Sequence, residues 1–415
     1  MSERRASEPE SLYACLRLGA SLLLMTIGGV GMYGMAVALA PVQAEFGVAR
    51  GDASLPYTLT MIGFGIGGIV MGRLSDRFGV FVPLLLGGVC LGLGFIAAGT
   101  AASLLQFTLA HGILIGLLGC SATFAPLVAD TALWFTRHRG IAVAICASGN
   151  YLAGAVWPPV LQYFFDTSGW RATYVGVGIF CTVTILSLAF LLRRRPPALE
   201  TSGLTGTATI GSERPLGLSP NALMVLLAVA GVACCVAMSM PQVHIVAYCG
   251  DLGYGAARGA EMLSLMLAFG IVSRLASGWI SDRIGGLRTL LLGSALQGIA
   301  LVLFLPFDGL VSLYVVSALF GLFQGGIVPA YALIVREHFS PTEAATRTGF
   351  VLMATLFGMA LGGWMSGAIF DLTGSYRAAF MNGIGWNLLN LTIAFWLLRR
   401  AWQPTGRLAG IRTAR

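Results

Sequence analysis

One arginine stands deep inside an apolar stretch. Arg274 lies in the run 259–281, eight residues before Asp282 and thirteen after Glu261. As a helix rising 1.5 Å per residue, that run puts Arg274 about 12 Å from one membrane face and about 20 Å from the other. An ionised side chain at such depth costs a few kcal/mol, so it must face a polar cavity and find a partner. No partner is evident: of the 17 Asp and Glu residues, every one but Asp130 falls in a loop or at the end of an apolar run. Asp130 itself, seven residues before Arg137, is near the cytoplasmic end of the fourth span. A guanidinium without a built-in counterion suits a carboxylate ligand, because its planar fork donates two parallel charge-assisted bonds. The competing reading has Arg274 snorkelling to a face or bonding backbone carbonyls near Gly270.

Other polar side chains lie level with Arg274 and are candidates for the same cavity: Asn150, Gln324 and Thr355. A lone amide in a membrane helix is as often interhelical glue. Tyr33, Tyr151 and Tyr331 could close over a small anion, although intramembrane aromatics are more often packing. His244 is a further candidate for ligand contact. With His111 and Asp130 it also forms the set that could carry a coupled proton, since imidazole titrates near neutral pH; the plainer reading of both histidines is a hydrogen-bonded helix contact. There is no H-E-x-x-H, G-x-S-x-G or Walker loop and no paired intramembrane carboxylates, so an enzyme is not expected. Eight cysteines, single but for Cys234-Cys235, predict neither a disulfide framework nor a metal site, and no cofactor is expected.

The elements that position these residues are membrane helices. The chain is 57% hydrophobic and only 10% charged, with mean hydropathy +0.83, whereas soluble domains carry about 25% charged residues. Apolar runs long enough to cross a ~30 Å hydrocarbon core occur near 16–40, 54–74, 81–101, 103–128, 140–163 and 171–192. Six more follow near 221–248, 259–281, 288–306, 310–335, 346–370 and 376–398. The first run is too long for a signal peptide. The organisation is therefore an N-terminal six-helix half (1–192), a polar cytoplasmic linker (193–220), a C-terminal six-helix half (221–400) and a cytoplasmic tail (401–415). With both termini in the cytoplasm, Arg50, Arg171, Arg258 and Arg377 are the only arginines expected outside, as the positive-inside rule requires. The net charge of +8 is then consumed by orientation and by contact with anionic lipid headgroups, leaving no reason to invoke nucleic acid.

The halves repeat. Gly72-Arg-Leu-Ser-Asp76-Arg77-Phe-Gly79 returns as Gly278-Trp-Ile-Ser-Asp282-Arg283-Ile-Gly285, an offset of 206. Glu45-Phe-Gly47 returns as Asp251-Leu-Gly253 at the same offset, and Asp166-Thr-Ser-Gly169-Trp-Arg171 as Asp371-Leu-Thr-Gly374-Ser-Tyr376-Arg377. Matched markers at one period imply two pseudo-symmetric halves about a central site. Arg274 breaks the symmetry, because its counterpart is Gly68.

The G-x-x-x-D-R-x-G loops resemble the signature of the major facilitator superfamily, over nearly the whole chain. Trp134-Phe135-x-x-x-Arg139-Gly140, the Asp166 to Arg171 segment and Arg274 in span 8 resemble its monocarboxylate transporter and oxalate/formate antiporter group. The resemblance implies twelve helices and rocker-switch, alternating-access transport of a small organic anion by a monomer in a prokaryotic inner membrane, with a coupled proton or counter-anion. It implies that Gly72, Asp76, Arg77, Gly79, Gly278, Asp282, Arg283 and Gly285 form conformational latches, with Asp130 joining through Arg73 or Arg77. Three positions depart from the pattern. Gly270 stands where animal monocarboxylate transporters have an aspartate one turn before the arginine. Thr355 stands near the second cation of the oxalate exchanger, and the span 1 lysine has no equivalent. A single cationic anchor favours a monoanion. The glycines Gly140 and Gly149 of span 5, and Gly349, Gly358, Gly362 and Gly363 of span 11, are read as close-packing surfaces. Drug efflux is the second reading, and a non-transporting sensor on the same fold the third.

Overall fold

The computed structural model describes residues 11–135, 137–194 and 215–402; most of the expected linker and nearly all of the expected tail fall outside them. Among the described residues every regular element is helical, as a chain bathed in hydrocarbon requires, because a helix satisfies its own backbone. The spans are Leu12–Phe46, Arg50–Phe78, Phe81–Gly99, Leu104–Trp134, Arg139–Ser168 and Trp170–Leu192 in the first half. Pro220–Asp251, Ala256–Ile284, Gly286–Leu303, Leu310–His338 and Thr346–Thr373 follow, and then Tyr376–Trp402. We number them spans 1 to 12. Eleven are apolar enough to qualify as spans on composition alone; the twelfth is diluted by Asn382, Asn387 and Asn390. Two of those amides are spent inside the bundle, Asn387 donating to Gln297 at 3.1 Å and Asn390 to Ser294 at 2.7 Å, both on span 9.

The repeated loop has a backbone reason. Gly79 and Gly285 end spans 2 and 8 at φ 82° and 80°, a left-handed setting open to glycine and strained for other residues. Spans 1, 4 and 10 are interrupted. Span 1 breaks at Gly29. Span 4 passes through widened turns over Ala110–Gly119 and a tight turn over Cys120–Thr123 before resuming at Ala125. Span 10 stops at Gln324 and resumes at Ile327. The breaks in spans 4 and 10 each precede a proline, Pro126 and Pro329, whose missing N–H releases a carbonyl one turn back.

The two halves meet along three seams: span 1 on span 7, span 2 on span 11 and span 5 on span 8. We call the end of the bundle where span 1 begins and span 12 ends the near face, and the opposite end the far face. Only the far-face portion of span 1, Val30–Phe46, packs on span 7, while Leu12–Gly28 packs within its own half. In the span 2–span 11 seam, Tyr57 lies against Gly363, Thr58 donates to Ala360 O at 3.1 Å, and Gly65 faces Leu356 and Met353. Towards the near face, a Cβ placed on Gly68, Gly72, Gly140, Gly278 or Gly349 would meet nothing within 4 Å. The halves are joined at the far face and parted towards the near face.

Candidate functional site

The span 5–span 8 seam shows how a proline pair builds an interface. Pro159 has no N–H for the carbonyl of Ala155, and Ser264 of span 8 donates to that carbonyl instead. One turn on, a Cβ at Gly154 would strike Leu267, and one at Gly270 would lie 2.5 Å from Tyr151 Cε1. These glycines let the helices close. Further along comes Arg274, whose Nη1 reaches Ala147 O at 3.4 Å and whose guanidinium lies 4.6 Å from the centroid of the Tyr151 ring; beyond it, Gly140 and Gly278 face open space. Arg274 therefore stands at the apex of the opening that leads to the near face.

Among the described residues Arg274 has no carboxylate within 4.0 Å. Its Nε is buried without a hydrogen-bond partner. The long bond to Ala147 O and the ring beneath hold the guanidinium in place but leave its charge uncompensated, since a cation–π contact contributes only about 0.5–2 kcal/mol. Tyr33 of span 1 and Tyr151 both lie within electrostatic range of that charge, and Tyr57 within range of Tyr33. Two tyrosines, from spans 1 and 5, thus approach one arginine; Tyr57 of span 2, not among the expected residues, stands behind Tyr33 and against Gly363. Gly270 also gains a reason, because the Tyr151 ring fills the space that any side chain there would need.

The remaining expected residues divide. Asn150 lies one turn from Ala147, with its Oδ1 buried, unbonded and near Gly29 at the break in span 1. Gln324 is fully buried with both polar atoms unbonded. It precedes Gly325, where a Cβ would lie 2.3 Å from the carbonyl of Gly270. Both amides therefore sit at helix breaks bordering the Arg274 seam. Thr355 and Tyr331 are otherwise engaged: the threonine hydroxyl donates to Leu352 O at 2.6 Å, and the tyrosine to Asn390 at 2.8 Å within the second half's core. His111 lies among Phe95, Phe107 and Tyr174, with Nδ1 3.3 Å from Thr60 Oγ1 and Nε2 unbonded.

His244 belongs to a different construction, a lock across the far face. Its Nε2 lies 2.8 Å from Gly363 O and must donate to it, so in the neutral ring Nδ1 accepts from Tyr376 Oη at 3.1 Å. Tyr376 in turn accepts from Arg50 Nη1 at 3.1 Å. Arg50, expected in an open outer loop, is only 8% exposed. Its guanidinium forks onto Asp251 of the other half, with Nη2 to Oδ1 at 3.2 Å, and lies 4.1 Å from the Phe370 centroid. Asp371 accepts from the backbone N–H groups of Arg50 and Gly51 at 2.8 and 2.6 Å. The repeat makes this an exchange of partners. Glu45 pairs with Arg171 inside the first half at 2.6 Å. Their counterparts Asp251 and Arg377 do not pair: Asp251 is taken by Arg50, and Arg377 is left with Asp308 at 4.0 Å.

At the near face the latch residues are disengaged. Asp76, Arg77, Asp282 and Arg283 are exposed, and among the described residues none makes an ion pair; Arg283 lies 3.5 Å from the centroid of the Trp279 ring. Asp130 departs from the expected pairing with Arg73 or Arg77. It accepts from Arg17 Nη2 at 2.7 Å, and both side chains are buried. Arg17 also donates to Arg194 O at 3.0 Å and covers Trp134 at 4.5 Å. Arg17 lies on span 1, whose near-face part packs against the second portion of span 4, whereas Arg73 and Arg77 sit at the exposed end of span 2.

A family model described as the Major Facilitator Superfamily matches residues 20–312 and 262–413. The chain belongs to that superfamily. It is a transporter of this class, and its curated relatives are transporters too. Monocarboxylate transporter 13 of Bos taurus is 28% identical over 317 residues, covering 76% of this chain and 73% of the relative. The agnestins efflux protein AgnL12 of Paecilomyces divaricatus is 24% identical over 306 residues, covering 71% and 67%. Among solved structures, a bacterial homolog of the human lysosomal transporter Spinster, inward-facing and occupied, superposes with TM-score 0.70 at 16% identity, covering 94% of this chain and 97% of that one.

Proposed function

We propose that this superfamily member carries a small organic anion, a monocarboxylate in particular, across a prokaryotic inner membrane by alternating access. The carrying observation is Arg274: a permanently charged side chain at the apex of the opening, stacked on Tyr151 and lacking an acidic neighbour. A carboxylate docking there supplies the missing charge and the bonds that its nitrogens lack. With no second cation recorded beside it among the described residues, the site neutralises one negative charge. The likeness to monocarboxylate transporter 13 supports the same class.

In this reading the near face is cytoplasmic. The four arginines assigned outside, Arg50, Arg171, Arg258 and Arg377, each face a carboxylate, and the far face is the arginine-poor one, as the positive-inside rule asks of an outer face. Transport requires that the anion favour the occluded form over either open form, since equal affinity for all states shifts no population. Tyr33 and Tyr151 close around it, Asn150 and Gln324 border it, and the Asp76 and Asp282 loops re-form their contacts when the near face shuts. In the same reading His244, bonded to Tyr376 and Gly363 inside the lock, is the group assigned to a coupled proton.

Counterflow in proteoliposomes with labelled lactate, pyruvate, formate and oxalate at two pH values tests this. Exchange of monocarboxylates in preference to oxalate is expected. Movement of hydrophobic cations without any carboxylate would transfer the assignment to efflux, the reading favoured by the likeness to AgnL12.

A further inference from the structure

Three arginines at the near-face end of spans 9 and 12 share one arrangement that the transport site does not use. Arg399 and Arg400 each follow an aromatic residue by four positions, Phe395 and Trp396, and their guanidinium carbons lie 5.5 and 4.3 Å from those ring centroids. Arg288, on the first turn of span 9, lies 5.6 Å from the centroid of Trp402 at the end of span 12. Spans 9 and 12 pack together, so the three cations lie at the same end of that helix pair. Among the described residues none has a carboxylate within 4.0 Å. Glu337, the nearby acid, is engaged by the backbone N–H of Gly286 at 3.0 Å.

The neighbouring surface says what the cations face. Positions 388, 392, 395, 399 and 402 recur at helical spacing on one face of span 12, and all are exposed. Leu388, Phe395 and Trp402 are 56%, 51% and 69% exposed. Leu388 lies about 16 Å along the helix from Arg399, which is close to one leaflet of a ~30 Å core. An anchored cation at one end and an apolar stripe one leaflet long fit a phosphate headgroup with its acyl chain. The aromatic rings hold the guanidinium groups at the membrane boundary, where Trp concentrates. The repeat shows that the fold does not demand the arrangement: the counterpart of Arg288 is Val82.

We infer that Arg288, Arg399 and Arg400 form a binding site for an anionic phospholipid of the near-face leaflet. The guanidinium groups hold the phosphodiester, and Phe395, Thr392 and Leu388 line the path of one acyl chain.

Native mass spectrometry of the purified full-length chain, titrated with phosphatidylglycerol, cardiolipin or phosphatidylcholine, tests this. The two anionic lipids should bind the wild-type chain, with phosphatidylcholine far weaker. The combined Arg288→Gln, Arg399→Gln and Arg400→Gln variant should lose affinity by about a hundredfold, each basic residue near an anionic surface being worth roughly a fivefold effect. Arg258→Gln on the far face should change nothing, and the corresponding triple lysine variant should retain most of the binding. If the triple glutamine variant fails to fold, Arg288→Gln alone should show the fivefold loss. Equal binding of phosphatidylcholine, undiminished anionic-lipid binding by a folded glutamine variant, or displacement by a millimolar excess of inorganic phosphate would overturn the assignment.

Discussion

Replacing Asp251 by Asn should loosen the far-face lock and shift the protein towards a far-open form. Asp251 is the acceptor through which Arg50, a residue of the first half, is held by the second. Breaking a fully buried pair costs 3–5 kcal/mol, and an exposed pair contributes under about 1 kcal/mol. The Arg50 side chain is 10% exposed but that of Asp251 is 38% exposed, so the loss falls between these limits, at about 1–2 kcal/mol. Asp371 and Tyr376 still hold Arg50 in the variant. The ratio of far-open to far-closed molecules should therefore rise about five- to thirtyfold. Spin labels at Ala102 and Val311, exposed positions on opposite halves of the far face, report it by pulsed dipolar spectroscopy in a chain whose native cysteines have been replaced. Exchanging the charges, Arg50→Asp with Asp251→Arg, should recover part of the far-closed population. An unchanged distance distribution in Asp251→Asn, or a swap that opens the face further than either single change, refutes the argument that this pair closes the far face.

Four further outcomes follow from the same geometry. Arg274→Gln should abolish carboxylate binding and counterflow while the protein still reaches the membrane, since losing one partner of a desolvated charge pair costs 2–5 kcal/mol or more. Asp76→Asn should slow exchange with substrate affinity nearly intact, a division readable from counterflow rate against equilibrium binding. Asp130→Asn leaves Arg17 buried without its counterion and should destabilise the protein by about 3–5 kcal/mol; thermal unfolding in detergent measures this, and Arg17→Gln added to it should recover much of the loss. Gly270→Asp should drive the new side chain into Tyr151 and cut folded yield, and pairing it with Tyr151→Ala should restore yield, checked by size-exclusion chromatography.

Much of this molecule is written locally. Apolar run length fixes where helices cross, because hydrocarbon offers the backbone no other partner. The 206-residue repeat gives two equivalent halves, and the glycines ending its loops correspond to left-handed backbone at Gly79 and Gly285. An arginine without an acidic neighbour along its own helix was legible as the odd residue out, and among the described residues no carboxylate lies within 4.0 Å of it. Partner choice was not legible. Asp130 pairs with Arg17, 113 residues away in sequence, and Asp251 with Arg50, 201 away. Ion pairs between helices depend on which faces pack and which ends approach, and no spacing along one helix encodes that. The same holds for Tyr57, an ordinary aromatic by position, and for Gly270, whose empty side chain makes sense only once Tyr151 is seen to occupy its space. The amino-acid order set the helices, the halves and the charge that needs a ligand. Packing between halves chose which end is shut and which residues hold it, because that choice is a balance of contacts between elements far apart in the chain.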